Sequence, residues 1–468
     1  MIVYLDRACI ASSASSIIRD LNLSSTADLG PVYAAFALAY GLFEIPNGWL
    51  GDMFGPRRVL IRISIWWSIF VALTGVVGMT VGSHVLGGVT ALVVLQFLAG
   101  MGEAGAFPNI TRALYNWFPP EERGFAQGAV WMCGRLMGGL TPLVFTVLVT
   151  GISLAPLSSN GAAAHSQIVL PPLLSWRGVF WFCAAIGVVW CIVFAMCFRN
   201  RPHEGIRDWG LGIRAAGNSS PYPLIPNPRL HAAVPWLRFL GSSNLWLLCT
   251  MYGVQSYGWY FYITYLPKFF EQNLDVPASS LRGAVYKGGP LWMGAAGCLL
   301  GGFLTDFFIR RTGNLRWGRR FTGIVGHTST ALCFLACYMM CKPGGDPFAY
   351  FLAISMAGFS TDLAMGAAWA SCQDIGKRYS AVVAGTMNMV GNLGGFLASE
   401  VYGYFLNRSL NAHAAALGCN VIALTDAQKS AGLWHGYATN FLIAVGMYTV
   451  GVLCWFRIDA TRPIVEEE

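Results

Sequence analysis

Apolar runs long enough to cross a bilayer recur along the whole chain. A helix needs about 20 apolar residues to cross ~30 Å of hydrocarbon. Twelve such runs lie near 1–18, 30–51, 60–82, 85–111, 125–150, 178–198, 244–266, 287–308, 321–341, 348–370, 382–405 and 435–456. Of 468 residues, 55% are hydrophobic and 11% charged, against about 25% charged in soluble domains. The mean hydropathy is +0.53. The predicted fold class is an all-α integral membrane protein, with twelve transmembrane helices in two six-helix bundles.

The net charge of +8 would on its own admit a nucleic-acid partner. Its placement argues against one. With loops assigned alternately to the two sides, lysine and arginine crowd on the side that carries Arg57 and Arg58. Such an excess marks the cytoplasmic side. The expectation is a multi-pass protein of the cytoplasmic (inner) membrane, both termini cytoplasmic, in contact with lipid and not nucleic acid. The densest patch, Arg310, Arg311, Arg316, Arg319 and Arg320, is predicted as a short cytoplasmic loop, and it is also compatible with lipid headgroups. The 13 cysteines include no CxxC and suggest no disulfide framework. Cys333, Cys337 and Cys341 have a spacing that metal ligands can use, but without a nearby histidine or carboxylate they read as packing residues. No metal site is expected. Met1-Ile2-Val3-Tyr4 lacks the basic start of a signal peptide.

The polar, arginine- and proline-bearing stretch 199–243 divides the spans six and six. The expected organisation is an N-terminal bundle over 1–198, a cytoplasmic linker over 199–243, a C-terminal bundle over 244–456 and a cytoplasmic tail over 457–468. An internal repeat supports two related halves. Gly48-Trp-Leu-Gly-Asp52 follows span two and precedes Arg57 and Arg58. Gly302-Phe-Leu-Thr-Asp306 follows span eight and precedes Arg310 and Arg311. The glycine allows close helix approach, and the aspartate can meet the positive N-terminal end of a neighbouring helix. A looser echo pairs Asn116–Gly124 with Gln373–Tyr379.

Residues Leu95–Gly124 place Glu103 within an apolar span. An ionisable group at membrane depth costs about 2.5–3.5 kcal/mol on insertion scales, which makes it a functional candidate. The alternative is a glutamate neutralised by a neighbouring helix for packing alone. Gly100–Gly105 fits G-x-G-x-x-G formally, but no strand precedes it, so its glycines read as helix packing.

These motifs resemble the major facilitator superfamily. More narrowly, the chain is similar to its anion:cation symporter family, which includes bacterial hexuronate, galactonate and glucarate carriers and vesicular glutamate and sialic acid carriers. The matching pieces are Tyr4-Leu-Asp6-Arg7, Phe43–Pro46 through Gly55–Arg58, Gly102–Pro108, Trp117-Phe-Pro through Arg123-Gly124, Trp176-Arg177 and Gly391–Gly395. The resemblance implies the major facilitator fold and proton-coupled movement of organic acid anions. Two departures stand out. The family's arginine seven residues before the intramembrane glutamate is Gln96 here. Arg135 in span five either takes over that charge or pairs with a carboxylate for stability. At the N-terminus, the residues before Asp6 give only about 7–8 Å of helix at ~1.5 Å per residue, and midplane lies ~15 Å deep. About ten or more residues are therefore expected to precede Met1. Otherwise Tyr4, Asp6 and Arg7 are interfacial.

Arg7 is the leading anion ligand, because guanidinium grips carboxylate bidentately. Asp6 and Glu103 are the proton-coupling candidates, since burial raises a carboxyl pKa. The expected mechanism is competition. A deprotonated Glu103 or Asp6 holds Arg7 or Arg135, and protonation frees the cation for substrate. Tyr4, Tyr40, Gln255, Tyr257, Tyr260, Trp369, Ser371, Asn388 and Asn392 can hydrogen-bond substrate hydroxyls, or equally other helices and the membrane interface. Glu44 beside Pro46 suits a gate or packing, and Asp52, Arg57, Arg58, Arg123 and Asp306 suit gating. The predicted function is proton-coupled symport, by a monomer, of a small organic acid anion, a sugar acid such as a hexuronate, aldonate or aldarate. The proton is the coupling ion and no other cofactor is expected. A proton-uncoupled facilitator, an antiporter and a non-transporting sensor are the alternatives, and a membrane enzyme is not favoured.

Overall fold

The computed structural model describes residues 10–466 apart from 11–12, 15, 24–25, 82–83, 146–147, 149–151, 155–167, 171–172, 201–233 and 278–280. In hydrocarbon, backbone polar groups must be satisfied within the segment, and helices do this. The described chain is accordingly helical. Its long helices are α1 Gly30–Phe54, α2 Pro56–Thr74, α3 Val89–Glu103, α4 Ala106–Trp117, α5 Arg123–Phe145 and α6 Trp176–Cys197. After the short α7 Trp236–Leu240 come α8 Ser243–Tyr260, α9 Leu266–Asn273, α10 Leu281–Thr312 and α11 Leu315–Met340. The chain continues through α12 Pro347–Leu363, α13 Met365–Gly376, α14 Ser380–Ala416 and α15 Asp426–Arg457. Each of spans two to twelve overlaps one or more of these helices, and span one and the end of span five include residues outside those described.

Six described stretches are long and apolar enough to cross a membrane by length and composition. They include α3 with α4, α6, and the 70-residue stretch Pro347–Ala416, which carries the tenth and eleventh predicted spans. Large apolar side chains stay exposed on them. On α6 these include Val188, Val189, Ile192, Val193 and Met196, as a lipid-facing surface requires.

Local chemistry sets the helix ends. Gly55 takes φ +86° and Pro56 opens α2, a left-handed stop followed by a proline at the first helical position. Asp346 caps α12 through the Phe348 N–H at 3.0 Å, with Pro347 next. Thr425 and Gln428 form a reciprocal capping box at the start of α15. The connection between the last two predicted spans, 382–405 and 435–456, is consequently shorter than their spacing, because α14 runs on to Ala416 and α15 begins at Asp426. Two small strand pairs, Thr80–Val81 with His84–Val85 and Ile152–Leu154 with Ile168–Leu170, are confined to connections.

The backbone forms two compact units. One comprises 1–43, 57–106 and 136–199, with a core built on Trp67, Val71, Leu92, Val179, Phe180 and Cys183. The other comprises 44–56, 107–135 and 200–468. It holds one core around Trp131, Tyr252, Trp369 and Met387, and an aromatic core around Phe261, Phe334, Tyr402 and Phe441. This is a different partition of the chain from the expected six-and-six division, and most of 199–243 lies outside the described residues. Cys337 is buried in the aromatic core, and Cys341 Sγ donates to the Trp434 carbonyl at 3.4 Å.

Candidate functional site

Span four carries its carboxylate, Glu103, at the last residue of α3. Ala104 and Gly105 turn, and α4 continues the span. Glu103 is completely buried. Gln96, two turns earlier, is also buried and donates to the Thr74 hydroxyl at 3.3 Å. A neutral amide therefore stands where the resemblance implies an arginine. Tyr40 is buried on α1 and stacks on Phe36, ring centroids 6.0 Å apart. Tyr4, Asp6 and Arg7 lie outside the described residues.

A second ionic group lies between α5 and the end of α12. Arg135 Nε donates to one oxygen of Asp362 at 2.6 Å and Nη2 to the other at 2.8 Å. This is the bidentate fork that makes guanidinium–carboxylate pairs strong. Each side chain is only 4% exposed. The guanidinium sits 3.5 Å from the Trp259 ring centroid and 5.6 Å from that of Trp131. Trp131 packs on Trp369 at 5.0 Å and on Phe107 at 4.5 Å. Gln255 donates at 3.4 Å to the carbonyl of Thr361, which precedes Asp362. Of the two roles the sequence left to Arg135, pairing with a carboxylate is the one the structure displays.

Asn388 and Asn392 stand one turn apart on α14, and both donate to Glu44 Oε1, at 2.5 and 2.9 Å. Glu44 is completely buried. One expected gate residue and two expected ligands thus form a single cluster. Other expected ligands lie elsewhere. The Ser371 hydroxyl bonds back to the Ala367 carbonyl at 2.7 Å. Tyr257 stacks on Tyr402 at 4.7 Å and donates to Asn440 at 3.5 Å within the aromatic core. Tyr260 packs over Gly395. The reason is helical phase: residues two apart point about 200° apart, so Tyr257 cannot share the face of Gln255.

The repeated aspartates meet helix N-termini. Asp52 accepts the N–H groups of Ala381 and Val382, at 3.2 and 2.8 Å, where α14 begins. Asp306 accepts those of Gly124 and Phe125, at 3.1 and 2.6 Å, where α5 begins. The glycine four residues earlier serves each contact: a side chain at Gly48 would strike the Ala381 carbonyl, and one at Gly302 the Gly124 carbonyl. Charges complete both. Arg112 lies 3.6 Å from Asp52. Arg319 bridges Asp306 at 3.0 Å and Asp374 at 2.9 Å, and Arg123 donates to Asp374 at 2.8 Å while lying over Tyr115. Arg319 is completely buried. The patch expected as a cytoplasmic loop lies on helix ends instead, with Arg310 and Arg311 in the last turn of α10 and Arg316, Arg319 and Arg320 in the first turns of α11, because Asn314 caps that helix earlier than predicted. Arg57 donates to the Ala195 carbonyl at 2.5 Å, and Arg58 is exposed.

The family model described as Major Facilitator Superfamily matches residues 1–399. The chain belongs to the Major Facilitator Superfamily. Members named among its relatives are transporters, and this chain is likewise a multi-pass membrane transporter and not an enzyme. It is 32% identical to a probable sulfoacetate transporter of Cupriavidus necator, over 87% of this chain and 85% of the relative. It is 27% identical to a probable galactarate/D-glucarate transporter of Escherichia coli, over 90% and 88%. Its fold resembles that of a proton:xylose symporter, with a TM-score of 0.65 at 13% identity, over 98% of this chain and 94% of the other.

In this major facilitator protein, sequence reasoning missed Asp362, Trp259, Trp131, Arg112 and the buried state of Arg319. Asp362 had a usable signal, an acidic residue inside an apolar run like Glu103. Asp374 was legible only as part of a loose echo. Chemically, the clusters provide one carboxylate at the last residue of a helix, one cation and carboxylate beside indole rings, and two charge-reinforced helix-end contacts.

Proposed function

We propose that this protein is a secondary active transporter that carries a small organic acid anion together with protons by alternating access. The observation that carries the reading is the duplicated helix-end contact. Asp52, from the first half of the sequence, holds the N-terminus of α14, and Asp306, from the second half, holds that of α5. Each contact joins a helix dipole to a carboxylate through hydrogen bonds and ion pairs, with no covalent link. Two such contacts, related by the internal repeat, suit a protein whose halves rock around a central site. The anionic substrate class is supported by the relatives, which are named as transporters of sulfoacetate and of galactarate and D-glucarate.

Coupling follows from electrostatics. Each anionic charge entering an inside-negative cell is opposed by about 2.3 kcal/mol per 100 mV. One proton per negative charge cancels that opposition. Glu103, buried at the last residue of α3, is assigned as a proton acceptor, with Asp6 as a second. Arg7 is assigned as the first-half anion ligand. The test is uptake of labelled sulfoacetate, D-galactonate and D-glucarate into proteoliposomes under an inward proton gradient. Wild type accumulates one of them, whereas Glu103→Gln equilibrates it without accumulation. Undiminished accumulation by Glu103→Gln would remove Glu103 from the mechanism.

A further inference from the structure

We infer that Arg135 and Asp362 form an anion-exchange site, in which Asp362 occupies the place of the substrate's acid group and takes a proton when that group displaces it. The inference rests on the transport reading above and adds a site built by α5 and α12.

Four observations lead to it. First, the pair has the geometry of ligand recognition: both carboxylate oxygens of Asp362 are held by the guanidinium fork, at 2.6 and 2.8 Å. A substrate carboxylate or sulfonate presents the same two-oxygen edge. Second, the surroundings hold polar groups that the pair does not use. Gln255 Oε1, Trp131 Nε1 and Trp369 Nε1 are buried and make no hydrogen bond. Their residues are 2%, 4% and 0% exposed. Buried polar groups are normally satisfied, and an acid bearing hydroxyls would supply both the acceptor that two indoles need and the donor that an amide oxygen needs.

Third, the helix is locally irregular here. α12 gives way to α13 at Ala364, whose backbone stays right-handed helical and whose N–H bonds the Thr361 carbonyl. Span four has a similar irregularity directly after Glu103, at Ala104 and Gly105. The fourth span of each half thus carries a carboxylate beside a local irregularity of its helix. Fourth, Trp259 covers the guanidinium face at 3.5 Å. That contact holds the cation while its carboxylate partner changes.

The exchange balances. In the resting pair the charges of Arg135 and Asp362 cancel. When a substrate carboxylate takes the guanidinium, Asp362 would be left as a buried anion, which the interior does not tolerate. A proton from the outer solution goes to its freed carboxylate oxygen, and the site is neutral again. On the inner side the substrate leaves, the proton leaves Asp362, and the fork closes. The titratable groups that interact electrostatically with Asp362 are Arg135 from α5, Cys298 from α10, Tyr262 from the π-helical turn Phe261–Tyr265 and Tyr448 from α15. Gly294 of α10 leaves room for it, since a side chain there would strike the carboxylate. Arg135 is the one cation among these groups.

Two measurements test the site. In proteoliposomes, Asp362→Asn is expected to exchange labelled acid for unlabelled acid yet lose accumulation driven by a proton gradient. Accumulation equal to wild type, with unchanged pH dependence, would overturn the inference while leaving the transport reading in place. The second readout needs no transport. Asp362→Ala removes the carboxylate from Arg135, so added acetate is expected to raise its thermal unfolding temperature saturably. The double variant Arg135→Gln/Asp362→Ala is expected to show no acetate effect. An acetate shift absent from Asp362→Ala, or equal in the double variant, would overturn the site. If wild type accumulates none of the acids but the acetate rescue holds, the anion site stands and the transport reading falls.

Discussion

Arg135 is a cation that a membrane interior tolerates only through its surroundings. Asp362 neutralises it, Trp259 and Trp131 cover it, and the pair is almost completely buried. Removing one partner of such a pair typically destabilises by about 3–5 kcal/mol, because a charge is left uncompensated, whereas replacing both with apolar residues is often neutral. Arg135→Ala is therefore expected to lower the unfolding temperature of detergent-solubilised protein sharply. Arg135→Met/Asp362→Leu is expected to restore most of that stability while transporting nothing. A double variant as unstable as Arg135→Ala would show that the pair contributes more than mutual neutralisation. At this scale the sequence was half legible. Arg135 stood out as a lone arginine in a span, but its partner lies 227 residues away. Asp362 follows Ser360 and Thr361 in a small-residue stretch, and only the fold brings the two together. Tyr257 misled for a related reason. Its polar tip suggests a ligand, but its helical phase turns it into the aromatic core.

At the scale of elements, two helix ends are held by carboxylates. Asp52 and Asp306 each accept two backbone N–H groups that have no partner within their own helices. Loss of such a capping acceptor costs about 0.5–2 kcal/mol. Asp52→Ala is expected to raise amide hydrogen exchange over the first turn of α14 and leave α5 unchanged. Asp306→Ala is expected to do the reverse. Equal effects of either variant on both helices would show that the contacts open together and not separately. The G-x3-D repeat made these two contacts legible in advance, because a carboxylate after a glycine at a helix end predicts a close helix N-terminus. Arg319 and Asp374, which tie the second contact to Arg123, were not legible. Their charges read as loop residues until the cap at Asn314 placed Arg319 inside a helix.

For the whole molecule, apolar periods of spanning length made the helical fold readable, whereas the two compact units, which interleave segments of the chain, were not. Nor were the short strand pairs and the extension of α14, because apolar spans do not report on loop chemistry. The C-terminal segment docks after α15 through a carboxylate that lies outside the spans. Burial pushes Asp459 up, but the Thr461 hydroxyl and N–H and the Arg316 guanidinium outweigh it and hold the group below the usual carboxylate range. Arg316 and Asp459 are 2.9 Å apart, and the Ile464 N–H donates to the Ile375 carbonyl at 2.9 Å. A depressed folded-state pKa contributes stability above the unfolded value of about 3.9 and loses it as pH falls through the folded value. Protection of 458–466 from hydrogen exchange is therefore expected to hold down to about pH 4 and to fade below it. Protection that already fades between pH 6 and 5 would point to another group.

The central claim is that an organic acid anion and protons cross together. Its most direct measurement is the uptake of labelled sulfoacetate, D-galactonate and D-glucarate by wild-type proteoliposomes with pH and voltage imposed independently. The account predicts accumulation of one acid above its external concentration under an inward proton gradient at zero voltage, collapsing when a protonophore is added. Uptake that only equilibrates, at the same rate with or without the gradient, would contradict it.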